Sequence, residues 1–142
     1  MKKSGEERAI YITHSDLSRL EELLEKVHES NPRDSGHLAE LEAEMLRAEV
    51  VESREIPPDV ITMNSKVRLK DLDTGREMVY TLVFPASADA ARNRISILAP
   101  VGTALIGYRV GDVIAWKVPS GMRKLQVEEV IYQPEAAGDY DR

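Results

Sequence analysis

The stretch Ile95 to Val118, ISILAPVGTALIGYRVGDVIAWKV, decides the fold. Ile95 and Ile97 alternate with Ser96 as on a half-buried strand, and Pro100 ends the ladder because it lacks a backbone donor. Thr103 to Ile106 reads as a short helix that Gly107 closes in the left-handed conformation. Gly111-Asp112 then reverses the chain, and Val113 to Val118 leaves the turn as a strand. A short helix pinned between strands needs a small sheet to pack on, so the predicted class is α+β.

Working outward, Val67 and Leu69 alternate with Arg68 and Lys70, Asp73-Thr74-Gly75 turns the chain, and Arg76 to Phe84 returns as a strand. Pro85 ends that strand, and Ala86 to Asn93 bridges to the opening stretch. Beyond Val118, Pro119-Ser120-Gly121 turns again. Leu125, Val127, Val130 and Ile131 then mark a last strand ending at Tyr132, with a bulge expected near Glu128-Glu129 where the alternation slips. The expected body is four or five antiparallel strands around one short helix, followed by an unstructured tail from Gln133 to Arg142.

Before the body, Leu17, Leu20, Leu23, Leu24 and Val27 fall three and four apart, which predicts a helix over about 15–29 capped by Thr13 or Ser15. A second stripe, Leu38, Leu41, Met45 and Ala48, follows a cap at Asp34 or Ser35. The short link Ser30-Asn31-Pro32-Arg33 forces the two helices antiparallel. The result is an αα-hairpin, a short coiled coil, of about four turns per arm. The expected organisation is an N-terminal strand or arm with the hairpin over 1–52, a linker at 53–58 (SREIPP), and a body over 59–142.

The net charge of −6 is uneven: residues 1–55 hold 8 basic and 14 acidic residues, whereas 56–142 hold 11 of each. An acidic arm on a neutral body is a poor general binder of phosphates, which favours a protein partner; the chain itself is expected to be a monomer. No run nears the roughly 18 apolar residues of a membrane helix. The start MKKSGEERAI also lacks the apolar core of a signal peptide, so no membrane contact is expected and the expected compartment is the cytoplasm. With no cysteine, disulfides, zinc thiolates and Cys catalysis are excluded.

The body resembles the carboxy-terminal domain of the Gre transcript-cleavage factors. The resemblance is carried by Ile95-Ser96, Pro100, Ala104-Leu105-Ile106-Gly107, Gly111-Asp112, Pro119, Gly121 and the strand to Tyr132. A nearer resemblance is to the regulators of nucleoside diphosphate kinase, the short-hairpin members of that superfamily. It rests on Pro58-Asp59-Val60, Thr62-Met63-Asn64-Ser65, Ala99 to Gly102, Arg109 to Asp112 and Tyr132 to Tyr140. The resemblance implies an FKBP-like sheet around the short helix, docked at the rim of the secondary channel of RNA polymerase with the hairpin pointing inward. Nucleic acid is then met only through the polymerase.

The docking loop implied by the resemblance is Leu98, Ala99, Pro100, Val101, Gly102 and Thr103. Gre factors commonly carry Asp-Ser-Pro there; this chain keeps the proline and has Leu98 and Ala99 before it, with Thr103 where a basic residue is frequent. In the cleavage factors, acidic residues at the hairpin tip help hold a catalytic Mg²⁺. The tip here offers Asn31, Arg33, Asp34 and His37, a single carboxylate on an arm of about 25 Å. The expectation is therefore a non-catalytic regulator that needs no cofactor or metal, competes with Gre factors and does not stimulate cleavage.

Other chemistry is weaker. His14, His28 and His37 lie in or beside the hairpin without metal-ligand spacing, and no phosphate-cradling glycine loop accompanies them. An FKBP-like body raises prolyl isomerisation, with Phe84 and Trp116 expected in the core rather than in a pocket. Lys66, Arg68 and Lys70 form a basic stripe along one strand, read as the solvated face of an edge strand. The alternative is an interaction module of the same fold with another protein partner.

Overall fold

Alternation of Val67 and Leu69 with charged neighbours produces the strand around which the body is organised. The computed structural model describes residues 10–30, 38–118 and 121–139. Its main strands are β3 (Lys66–Asp71), β4 (Glu77–Val83), β5 (Arg94–Ser96), β6 (Val113–Val118) and β7 (Gly121–Tyr132). They form one sheet in the order β5-β4-β3-β7-β6, so β3 is central rather than an edge strand. Val67, Leu69, Leu82, Ile114, Leu125 and Val127 are buried from this sheet, and the short helix α3 (Pro100–Leu105) adds Ala104 and Leu105 to the same core.

The expectation of an all-antiparallel sheet fails at one edge. There β5 runs parallel to β4, with Thr81 opposite Arg94, Leu82 opposite Ile95 and Val83 opposite Ser96. The cause lies in the connection: two 3₁₀ turns, Pro85–Ser87 and Ala90–Arg92, carry the chain back before it re-enters the sheet. The Asp89 side chain caps the second turn by accepting from Ala91 N at 3.1 Å. Along β7 the slip near Glu128 is present, and a second one skips Ile131; the two bulges keep Val127 and Val130 opposite Leu69 and Val67.

Four elements make the N-terminal part: β1 (Tyr11–Thr13), α1 (His14–Ser30), α2 (Leu38–Arg47) and β2 (Glu49–Val51). The helix α1 matches its expected span, but α2 has ten residues, about 15 Å, and Ala48 falls outside it. Beneath the helices β1 and β2 pair in parallel, Ile12 opposite Val50, a pairing that three-residue segments are too short to announce by periodicity.

The leucine stripe does not serve the helix pair alone. Leu20, Leu24 and Leu41 are buried in one cluster with Ile10, Ile12, Leu105, Ile106 and Tyr108, which continues into the sheet. Gly107 sits at φ +83 where α3 meets β1, and a Cβ there would lie 2.8 Å from Ile10 Cβ. Only glycine fits both the backbone angle and the approach.

The expectation of an unstructured terminus is corrected over the described part of the tail, Gln133 to Asp139; residues 140–142 lie outside the described residues. Residues Pro134–Ala137 form a helical turn, α4, and Gln133 beside it is buried. Its amide donates to Pro57 O at 2.8 Å and Val60 O at 2.7 Å, while its oxygen accepts from Ala136 N at 3.1 Å. One side chain thus caps α4 and satisfies two carbonyls of the segment entering the body.

Candidate functional site

The loop from Ser96 to Thr103 is shaped by backbone closure. Ser96 Oγ accepts from Leu98 N at 3.0 Å, and Ser96 O accepts from Ala99 N at 3.0 Å. Pro100 opens α3, where a missing N–H costs nothing, and Thr103 Oγ1 donates to Ile97 O at 2.8 Å. A Cβ on Gly102 would sit 2.2 Å from Ser96 O, so this position holds the loop against the end of β5. Of the six loop residues expected to make contact, Gly102 and Thr103 are buried and shape the loop; Leu98, Ala99 and Val101 are half-buried and present an uncharged surface.

A second cluster joins the hairpin to the body. Asp16, in the first turn of α1, is 5 % exposed; its Oδ2 accepts from Met63 N at 3.0 Å, and its own N–H donates to Thr13 Oγ1 at 3.0 Å. Burial pushes its pKa up to about 6. The Met63 N–H opposes this, the Glu135 carboxylate adds to it, and Arg19 and the Thr13 hydroxyl oppose it more weakly. Thr62 Oγ1 donates to Glu135 at 2.7 Å and lies 2.8 Å from Ser65 Oγ. The turn Thr62-Met63-Asn64-Ser65 therefore receives α1 on one side and α4 on the other. One turn of helix further on, the Arg19 guanidinium lies 4.2 Å above the Phe84 ring.

The tip residues Asn31, Arg33, Asp34 and His37 lie outside the described residues, as does the side chain of His28. Along the hairpin, Leu17, Leu24, Met45, Leu46, Ala48 and Val50 line a groove of about 480 Å³, rimmed by Glu21, Glu25 and Glu42. Leu46 is 88 % exposed at its border. Among the described residues no group of three His, Asp or Glu side chains is placed to hold a metal ion, and no helix is long and apolar enough to cross a membrane.

The basic stripe is divided by its neighbours. Arg68 pairs with Glu129 at 2.6 Å, while Lys70 lies beside Glu128, whose pKa is raised by its hydrogen-bonded neighbour Glu77. Lys66 instead faces a polar hollow shared with Arg94. Phe84 is half-buried against the core as expected; the Trp116 side chain is outside the described set. Sequence reasoning missed Asp16 as an anchor and Gln133 as a clasp, because an acid in a first helical turn and a polar residue after a strand are ordinary surface patterns.

Comparison with known proteins places the two halves. The family model "Transcription elongation factor, GreA/GreB, C-term" matches residues 56–132, and "Rnk N-terminus" matches residues 8–51. The chain is 45 % identical over 134 residues to a regulator of nucleoside diphosphate kinase from Escherichia coli strain K12, covering 92 % of this chain and 95 % of that one. It is 35 % identical to a transcription elongation factor GreA from Clostridium beijerinckii, covering 89 % and 78 %. A solved structure of a prokaryotic transcription elongation factor GreA/GreB from Nitrosomonas europaea superposes with a TM-score of 0.74 at 43 % identity, covering 89 % of this chain and all of that one.

Proposed function

From the premise that this chain belongs to the GreA/GreB family, in the branch that carries an Rnk N-terminus, we propose that it is a non-catalytic regulator of RNA polymerase. It docks at the rim of the secondary channel through the loop at 98–103, competes there with Gre factors and does not stimulate transcript cleavage. In this reading the sheet and α3 form an FKBP-like unit, the helix pair is a short coiled coil, and the chain acts as a monomer in the cytoplasm.

The observation that carries the reading is the arm. The base of α1 is tied down by Asp16 and Arg19, and Leu20 and Leu24 of α1 with Leu41 of α2 are buried in the core that continues into the body. A hairpin seated on the body in this way is poorly suited to deliver carboxylates deep into a partner. The uncharged loop surface at Leu98, Ala99 and Val101 supports contact with protein rather than with phosphates, as does the apolar groove with its glutamate rim.

The test uses purified polymerase and backtracked elongation complexes. Retention of the chain on polymerase at moderate salt, displaced by an added Gre factor, is the expected result, together with an unchanged rate of transcript cleavage. Cleavage stimulated above the intrinsic rate would refute the non-catalytic part; failure to bind polymerase would leave the interaction-module reading in its place.

A further inference from the structure

On the outer face of the sheet, four residues fall in one row across four strands. Tyr132 of β7 stands opposite Lys66 of β3, Lys66 opposite Thr81 of β4, and Thr81 opposite Arg94 of β5. Opposed residues on paired strands share a face, so the row brings the Lys66 and Arg94 side chains to the two sides of Thr81. Ser87, from the crossover that makes β5 parallel, and Asn64, held at φ +68 with its N–H on Leu82 O, complete the lining. The hollow has a volume of about 280 Å³ and a floor at buried Val83.

Its chemistry is one-sided. Lys66 and Arg94 are cations, Thr81 and Ser87 carry hydroxyls and Asn64 an amide, all able to donate; no carboxylate lines the hollow. Elsewhere in the chain Arg47, Arg68, Arg92 and Arg123 each have an acidic partner, yet neither Lys66 nor Arg94 has one among the described residues. At the edge of the hollow, Asp139 accepts the Tyr132 hydroxyl hydrogen bond. Two cations that flank β4 from the strands on either side of it leave their positive charge uncompensated across Thr81, and an anion between them satisfies both.

We propose that this hollow is an anion site for a phosphate group, with Arg94 and Lys66 as the charged clamps and Thr81, Ser87 and Asn64 as neutral donors. The planar Arg94 fork suits two phosphate oxygens at once, and Lys66 supplies a point charge from the other side of β4. A phosphate reaches such a site either on a small molecule or on a nucleic-acid backbone. The site is independent of the loop at 98–103 and stands or falls separately from polymerase docking.

The experiment is an amide chemical-shift titration of the full chain at fixed ionic strength, with sodium pyrophosphate, a short single-stranded oligonucleotide and sodium chloride as three arms. Saturable shifts at Asn64, Lys66, Thr81, Ser87 and Arg94 are expected with pyrophosphate and absent with chloride. Lys66→Met and Arg94→Gln should each weaken the affinity at least tenfold, while Arg94→Lys weakens it less; both charges lie on exposed side chains, so the fold is retained. Saturation by the oligonucleotide at lower concentration identifies a backbone phosphate as the ligand, and saturation by pyrophosphate alone identifies a small molecule. Shifts equal to those of chloride, shifts centred elsewhere, or variants within twofold of the parent would overturn the assignment.

Discussion

Replacing Asp16 by asparagine tests whether the hairpin is held to the body by a carboxylate that burial disfavours. Folding moves this group from an ordinary 3.8 to about 6, so the folded chain keeps the proton to higher pH than the unfolded chain does. The stability linked to that proton is complete below about 3.8 and is lost as pH rises through about 6. A shift of some two units corresponds to about 3 kcal/mol at most, and relaxation of the partly buried junction brings the expected figure to about 1–3 kcal/mol. The asparagine side chain carries no charge, yet its amide oxygen still accepts from Met63 N. The variant should therefore exceed the parent by about 1–3 kcal/mol at pH 8, or roughly 3–10 °C in melting temperature, and by only about a third as much at pH 4.5. Urea unfolding followed by circular dichroism at the two pH values gives the difference directly. Asp16→Ala, which leaves the Met63 N–H without its acceptor, should be less stable than Asp16→Asn at both. A gap between parent and Asp16→Asn that is the same at pH 4.5 and pH 8, or an Asp16→Asn variant that is less stable at pH 8, refutes the account.

Three further substitutions probe the other joints. Gln133→Ala removes the donors to Pro57 O and Val60 O and the acceptor for Ala136 N, and should cost about 2 kcal/mol in urea unfolding while exposing the tail to protease; an unchanged midpoint counts against the clasp. Gly102→Ala drives a Cβ onto Ser96 O and should cost roughly 1–3 kcal/mol or more, measured as a fall in melting temperature; a neutral result means that the loop can move away. Ala99→Ser should raise stability by about 1 kcal/mol, because the N-terminal end of α3 has no side-chain cap at present; no gain in the urea midpoint would show that the hydroxyl does not reach the helix.

What the sequence showed and what it hid divide along physical lines. Strands β3, β6 and β7 were legible because their alternation spans six residues or more, and the loop from Ser96 to Gly107 because proline permits few backbone angles and glycine readily takes the positive φ that ends the short helix. β1 and β2 were not, since three residues carry no period. The direction of β5 was hidden for another reason: a ten-residue connection reads as a long hairpin loop until the two 3₁₀ turns are seen to double it back. The fate of the hairpin stripe was also illegible. The spacing of Leu20, Leu24 and Leu41 is the same whether they meet only each other or the body core as well.

The motifs that carried the resemblance have a structural explanation. Thr62 to Ser65 is the turn that receives Asp16 and Glu135, Arg109 to Asp112 is a turn in which Asp112 accepts from Arg109 N at 3.0 Å, and the Gln133 tail is the clasp. Each of these segments holds one part of the chain on another, so retaining them preserves how hairpin, sheet and tail are mutually placed. The loop is different: Ser96, Pro100, Gly102 and Thr103 fix its course, while Leu98, Ala99 and Val101 are half-buried, Leu98 and Val101 resting one side on the core. A relative that keeps the joints and changes only those three side chains presents the same shape with a different surface. Contact chemistry at this loop is thereby separated from the joints that hold hairpin, sheet and tail together, whereas the arm above the Asp16 anchor belongs to the core through Leu20 and Leu24.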